Sequence, residues 1–239
     1  MNNIAFGFFG QTRVSDVINV WYKKIEKDYD FFMSTWNDNE SEKLNFEFTK
    51  INKHNFEEEN PKIQKDIPNE CFDKYTNSMT NIYKDKEAGY ILFHTANIIK
   101  TIKEYEKENN FKYDVIVLCR PDHVVNLEQL KLQINTFLKQ SDFDRPMISI
   151  QTPMMLNNRT FSIAEDAVFI LNNQALDHML NLKKELFDDR LDLEIKFGYR
   201  GAHELIPFMI VKHNFLSVVS GIQSKVIRTK FQFEEYLRG

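Results

Sequence analysis

Hydrophobic positions fall into two patterns along this 239-residue chain. Short apolar runs rich in β-branched and aromatic residues stop at polar or glycine-bearing turns, and longer stretches between them repeat apolar residues every three or four positions. Ile4 to Phe9 predicts a first strand broken at Gly10, and Ser15 predicts the cap of a helix through about Lys27 with Val17, Ile18, Trp21, Tyr22 and Ile25 inward. Asp30 to Thr35 predicts a second strand ending at Trp36, Asn37 and Asp38. From Asn39 to about Glu87 charges are dense, and Pro61 and Pro68 interrupt the pattern. A short strand near Leu44 to Ile51 and a brief helix are expected there.

Gly89 to Asn109 carries a clear helical stripe through Ile91, Leu92, Thr95, Ile98, Ile99, Ile102 and Tyr105. It leads into Tyr113 to Val125, YDVIVLCRPDHVV, where Val115 to Arg120, flanked by Asp114 and the Pro121-Asp122 pair, is apolar at five of six positions. That length and β-branching predict a strand buried on both faces and ended by Pro121. Further on, Leu127 to Leu138 reads as a helix, Pro146 to Gln151 and Ala167 to Leu171 as strands, and Gln174 to Phe187 as a helix. Glu204 to Lys212 suits a buried helix despite Pro207, and Phe215 to Ser220 and Ser224 to Ile227 resemble late strands. Strands alternating with helices through short links predict an α/β class: one mostly parallel sheet flanked by helices, in one domain.

Composition narrows the function. With 21 Phe and 7 Gly the chain is globular and aromatic-rich rather than flexible or low in complexity. A net charge of −4 with interspersed signs gives no electropositive field for wrapping nucleic acid. Cys71 and Cys119 lie far apart and form neither a CxxC metal motif nor a disulfide framework, which fits a reducing cytoplasm. The six histidines have no HxH or HExxH spacing that would suggest zinc. MNNIAFGFFGQTR lacks the basic leader and apolar length of a signal peptide, and no segment is long enough to span a bilayer, so a soluble or peripherally attached protein is expected.

Chemistry concentrates where strands end. Residues just beyond the carboxyl ends of buried strands line the ligand crevice of an open α/β sheet, so Arg120 and Asp122 either face a site or form a surface salt bridge at a strand end. A carboxylate there suits a divalent cation and an arginine suits phosphate. The turn Gly10-Gln11-Thr12-Arg13 presents backbone N–H groups and a guanidinium, either to a diphosphate or simply to solvent. No GxxxxGK[ST] loop and no three-glycine dinucleotide turn occurs.

The first strand running into GQTR, the second ending near S-T-W, the helix leading through YEKENNFKYDVIVLCRPD, and then AEDAVFIL and HELIPFMIVKHN together resemble small GT-A-type glycosyltransferases of bacterial and viral polysaccharide gene sets. The resemblance runs from about Ile4 to Asn214. It implies a single GT-A-like domain over residues 1–239, with a nucleotide-sugar half to about residue 125 and an acceptor half beyond it. It also implies transfer of a sugar from a nucleotide-sugar donor to a glycan or lipid-linked acceptor, assisted by Mn²⁺ or Mg²⁺. Gly10, Gln11, Thr12, Arg13 and Arg120 would bind the donor. Asp122 matches the last aspartate of a DxD-like metal element whose first aspartate is here Arg120.

By the same resemblance, Asp166, next to Glu165, would supply the general base of an inverting enzyme, with Glu204 a second acidic candidate and His203 near the acceptor or metal. From the residues alone, Glu165 and Asp166 equally suit a strand cap, and His203-Glu204 suits a helix N-terminus. Trp36 either packs in the core or stacks on a base or sugar, and His94 and Cys119 read as packing residues. A sugar nucleotidyltransferase and a non-catalytic glycan-binding or scaffold domain are the alternatives to glycosyl transfer.

Overall fold

The computed structural model describes residues 3–25, 29–66, 79–139, 145–150, 154–155, 162–163, 167–180, 210 and 212–238. Its strands are β1 (Ile4–Phe9), β2 (Asp30–Trp36), β3 (Lys50–His54), β4 (Val115–Cys119), β5 (His123–Val125), β6 (Met147–Ile150), β7 (Met154–Met155), β8 (Ser162–Ile163), β9 (Val168–Asn172), β10 (Leu216–Val219) and β11 (Ser224–Val226). Seven of them form one sheet in the order β10-β6-β9-β4-β1-β2-β3. Neighbours pair in parallel except at β9, which runs antiparallel to both β4 and β6. The expected α/β class, a mostly parallel sheet flanked by helices, is met.

Every residue of β1, β4 and β9 is buried, because both sheet faces are covered. On one face lies α3 (Met79–Asn109), following α1 (Asn39–Glu42) and α2 (Phe56–Asp66). Its Leu92, Ile98, Ile99 and Ile102 pack with Phe9, Phe32, Ile116 and Leu118. The other face is covered by the π turn Val17–Trp21 and 3₁₀ turn Tyr22–Lys24, by α4 (Leu127–Lys139) and by α5 (Lys230–Arg238). Val17, Ile18, Tyr22, Leu130, Ile134, Phe137 and Phe233 meet Phe6, Phe8 and Val117 there. Among the described residues no helix is long and apolar enough to cross a membrane.

Local departures from the sequence pattern have identifiable causes. Ser15 does not cap the segment after β1; its N–H and hydroxyl both donate to Glu40 Oε2, at 2.9 and 3.1 Å, and the segment winds as π and 3₁₀ turns instead of an α-helix. Leu44, Phe46 and Phe48 alternate as a strand would, yet they pack on the aromatic cluster of Phe8 and Phe31 without a ladder, and pairing with β2 starts only at Lys50. Helix α3 starts at Met79, well before Gly89. Of the expected helix from Gln174 to Phe187, residues 173–180 are helical and the rest lies outside the described residues, as does nearly all of Glu204 to Lys212.

Gly7 lets α3 approach β1 closely: a Cβ there would lie 2.9 Å from both Ile98 Cγ1 and Leu118 Cδ2. Gly7→Ala should therefore destabilise the fold by about 1–3 kcal/mol through overpacking. Urea unfolding monitored by circular dichroism measures this, and an unchanged midpoint would contradict the packing.

His94 is fully buried beside Trp36 and Phe93, with Nδ1 3.0 Å from Ser34 Oγ, which is also 3.1 Å from His54 Nε2. Its Nε2 has no hydrogen-bond partner among the described residues. Burial, reinforced by His54, lowers the His94 pKa from 6.5 to about 3, and burial lowers His54 as well. Above pH 6.5 the imidazole is neutral in both folded and unfolded chains; between 6.5 and about 3 only the unfolded chain takes up the proton. Stability should fall across that window, and His94→Gln should lose less between pH 6.5 and 4 than the parent in chemical denaturation at each pH.

Candidate functional site

The strand order reverses direction between β1 and β4: β2 and β3 lie on one side of β1, while β4 and its later neighbours lie on the other. The carboxyl ends of β1 and β4 thus flank the crevice where open α/β sheets bind ligands. Two loops meet there. Beyond β1, Gly10 takes φ +108°, a conformation favouring glycine, and donates its N–H to Ser34 O at 3.0 Å. The buried Thr12 has its Oγ1 3.1 Å from Thr35 Oγ1, which ties the turn to β2 and leaves Gln11 and Arg13 exposed.

Beyond β4, Arg120-Pro121-Asp122-His123 forms a turn closed by His123 N–H to Arg120 O at 3.3 Å, with proline at its second position. Arg120 N–H also donates to Ala167 O at 2.9 Å. The turn folds the Arg120 side chain onto Asp122: Nε donates to Oδ1 at 3.0 Å and Nη2 to Oδ2 at 2.9 Å. From the other loop, Arg13 Nε lies 3.0 Å from Oδ2. The Asp122 side chain is only 2% exposed, against 24% for Arg120 and 40% for Arg13. A carboxylate buried that deeply needs cationic and hydrogen-bonding partners, and here two guanidiniums supply them.

An open cleft of about 480 Å³ adjoins this cluster, lined by Gln11, Thr12, Arg13, Asp38, Asn39, Glu40 and Arg228. Its two carboxylates are already engaged. Asp38 Oδ1 caps α1, accepting the N–H groups of Glu40 and Ser41 at 3.1 and 2.8 Å. Glu40 pairs with Lys43 and accepts from Ser15; the Lys43 bond first, then the Ser15 N–H, lower its pKa. Arg228 is not among the candidates that the sequence offers. It follows β11, which pairs antiparallel with β5, and Ile227 N–H donates to Asp122 O at 2.7 Å.

Of the sequence-derived candidates, Gly10, Gln11, Thr12, Arg13, Arg120 and Asp122 come together at this corner. Trp36 is a correction: it is 7% exposed, stacked on Phe93 at 5.5 Å and edged by Phe56, Tyr90 and His94, so its ring is occupied by the core rather than offered to a ligand. Cys119 is buried against the Tyr22 hydroxyl at 2.8 Å, and burial pushes its thiol up to about 12, unsuited to nucleophilic work. Glu165, Asp166, His203 and Glu204 lie outside the described residues.

The donor set at Asp122 does not suit the expected Mn²⁺ or Mg²⁺. Both oxygens already accept from guanidinium, and among the described residues no group of three His, Cys, Asp or Glu side chains is placed to hold a metal ion.

No family model matches the chain, and no curated protein matches it. Among solved structures it is similar to a Bacillus anthracis protein described as a glucose-1-phosphate thymidylyltransferase, crystallised with sucrose. The match covers 98% of this chain and 93% of that one at 8% identity and a TM-score of 0.45. A likeness at that level does not extend to activity.

Replacing Asp122 by Ala should leave Arg13 and Arg120 without their shared anchor. The expected cost is about 1.5–3 kcal/mol, the range for hydrogen bonds to charged groups, since both guanidiniums can rehydrate in part. Guanidinium chloride unfolding tests this, and a variant as stable as the parent would contradict the anchoring role.

Proposed function

We propose that the chain is a transferase of nucleotide-sugar chemistry, with a GT-A-like domain over residues 1–239 binding the phosphates of a nucleotide at the β1–β4 corner. The observation that carries this is the convergence of the Gly10–Arg13 turn and the Arg120–Asp122 turn beside an open cleft bordered by Arg13 and Arg228. Guanidiniums fixed before the reaction stabilise charge that develops on a departing phosphate. Arg13 has this task, and Gln11 and Thr12 of the same turn line the cleft beside it.

Two reactions use such a corner. In nucleotidyl transfer an oxygen of a sugar phosphate attacks the α-phosphorus of a nucleoside triphosphate, the bond to the bridging oxygen breaks, and pyrophosphate leaves. In glycosyl transfer an acceptor hydroxyl attacks the anomeric carbon of a nucleotide-sugar, the bond from that carbon to the diphosphate breaks, and a nucleoside diphosphate leaves. Two arginines lining one cleft, with its carboxylates already engaged, favour the first, because a triphosphate brings more negative charge than a nucleotide-sugar. The resemblance carried by the sequence motifs supports the second, with a glycan or lipid-linked acceptor and Asp166 as the base that takes the hydroxyl proton.

Product analysis separates them. The protein is incubated with nucleoside triphosphates and sugar phosphates, or with nucleotide-sugars and acceptors, and release of pyrophosphate or of nucleoside diphosphate is measured. Release of neither from any mixture, with no nucleotide shifting the thermal midpoint, would sink the proposal. Arg13→Ala should weaken nucleotide binding about 10- to 100-fold in calorimetry, the equivalent of one charge-assisted contact.

A further inference from the structure

The nucleotide-sugar reading leaves open what offsets the phosphate charge. We infer that Asp122 is the fixed counter-ion of an arginine clamp instead of a cation ligand, and that Arg13 and Arg228, which both line the cleft, hold the phosphates without a divalent cation.

Asp122 is gripped from within its own turn by the Arg120 fork and is itself 2% exposed, so its position is set before any ligand arrives. It meets Arg13 through Nε, at 3.0 Å. The terminal Nη groups of Arg13 have no partner among the described residues and belong to a side chain 40% exposed at the cleft. Paired with Asp122 through its inner nitrogen, the Arg13 guanidinium keeps its terminal nitrogens for a ligand, and such planar donors match phosphate oxygens.

Arg228 is independently anchored beside the same cleft. The preceding N–H, of Ile227, bonds Asp122 O at 2.7 Å, and its own N–H bonds Gln232 Oε1 at 2.8 Å on α5. The main chain of Asp122 thus steadies one arginine while its carboxylate aims the other. For a hard cation to use Asp122, it would have to displace both guanidiniums from a buried carboxylate.

The test uses inorganic pyrophosphate and nucleoside diphosphates as probes, titrated calorimetrically at low salt in excess EDTA and again with Mn²⁺, together with electron paramagnetic resonance of free Mn²⁺ in the presence of protein alone. Equal affinity within about twofold in the two conditions, with no depletion of the Mn²⁺ signal, is expected. Arg228→Ala, at an exposed site, should weaken pyrophosphate about tenfold with an unchanged circular dichroism spectrum.

Asp122→Asn separates positioning from simple charge. If the carboxylate only repelled anions, its removal would tighten pyrophosphate binding; as the anchor of Arg13 its removal should weaken binding. Binding that appears only with Mn²⁺ would overturn the clamp and leave nucleotide-sugar chemistry standing. Tighter or unchanged binding by Asp122→Asn, or unchanged binding by Arg228→Ala, would likewise overturn it. Failure of every probe to bind in either condition would overturn the clamp and the proposed function together.

Discussion

The buried carboxylate of Asp122 is the constraint around which this corner of the molecule is arranged. At 2% exposure it cannot rely on water, so two guanidiniums must come to it, one from its own turn and one from the loop after β1. Each demand fixes another part of the chain. Pro121 shapes the turn that brings Arg120 back on Asp122, and Arg120 N–H in turn holds Ala167 at the start of β9. Arg13 is delivered by a turn that depends on Gly10 at positive φ and on the Thr12–Thr35 contact. The Asp122 carbonyl receives Ile227, and the neighbouring His123 carbonyl receives the Tyr22 hydroxyl at 2.9 Å. Segments far apart in sequence therefore meet at two consecutive residues.

How much of this could be read in advance depends on whether the physics is local. Ile4–Phe9 and Val115–Cys119 announce themselves, since a strand buried on both faces must be apolar at nearly every position. The stripe on α3 is equally plain where Leu92, Ile98, Ile99 and Ile102 recur. Leu44, Phe46 and Phe48 misled because alternation reports which side chains face the core, and says nothing about whether the backbone has a neighbouring strand to pair with. The short β5 and its partner β11 were missed as a pair, because a three-residue ladder across a hundred positions leaves almost no periodic trace.

The site divides in the same way. Gly10, Arg13, Arg120 and Asp122 were legible as candidates because strand ends in an α/β sheet are where ligands bind. Their mutual relation was not legible: the resemblance set Arg120 at the first position of an expected metal-binding element, while in the fold it is the partner that occupies Asp122. Trp36 failed as a ligand candidate for a related reason. Aromatic residues are large enough that the core claims them whenever α-helical and strand neighbours converge, as Phe56, Tyr90 and Phe93 do around it. Arg228 carried no signal at all, since its relevance comes from the β5–β11 pairing rather than from any motif around it.

Exchanging a carboxylate for an arginine at a strand end changes the kind of electrostatic site a fold can build. A hard cation concentrates charge at one point and demands several oxygen ligands around it; guanidiniums spread charge over planar donors and require carboxylates to aim them. The second solution needs a buried acid that binds no ligand, and Asp122 has the burial and partners of such a residue. In the proposed clamp, phosphate affinity would be tied to the integrity of the fold, because Asp122 receives Ile227 through its carbonyl and Arg13 through its carboxylate. Arg13 is 40% exposed, so any anion it met there would be screened by salt more strongly than one enclosed by protein. The buried half of the cluster thus supplies geometry, and the exposed half supplies a charge that solution conditions can tune.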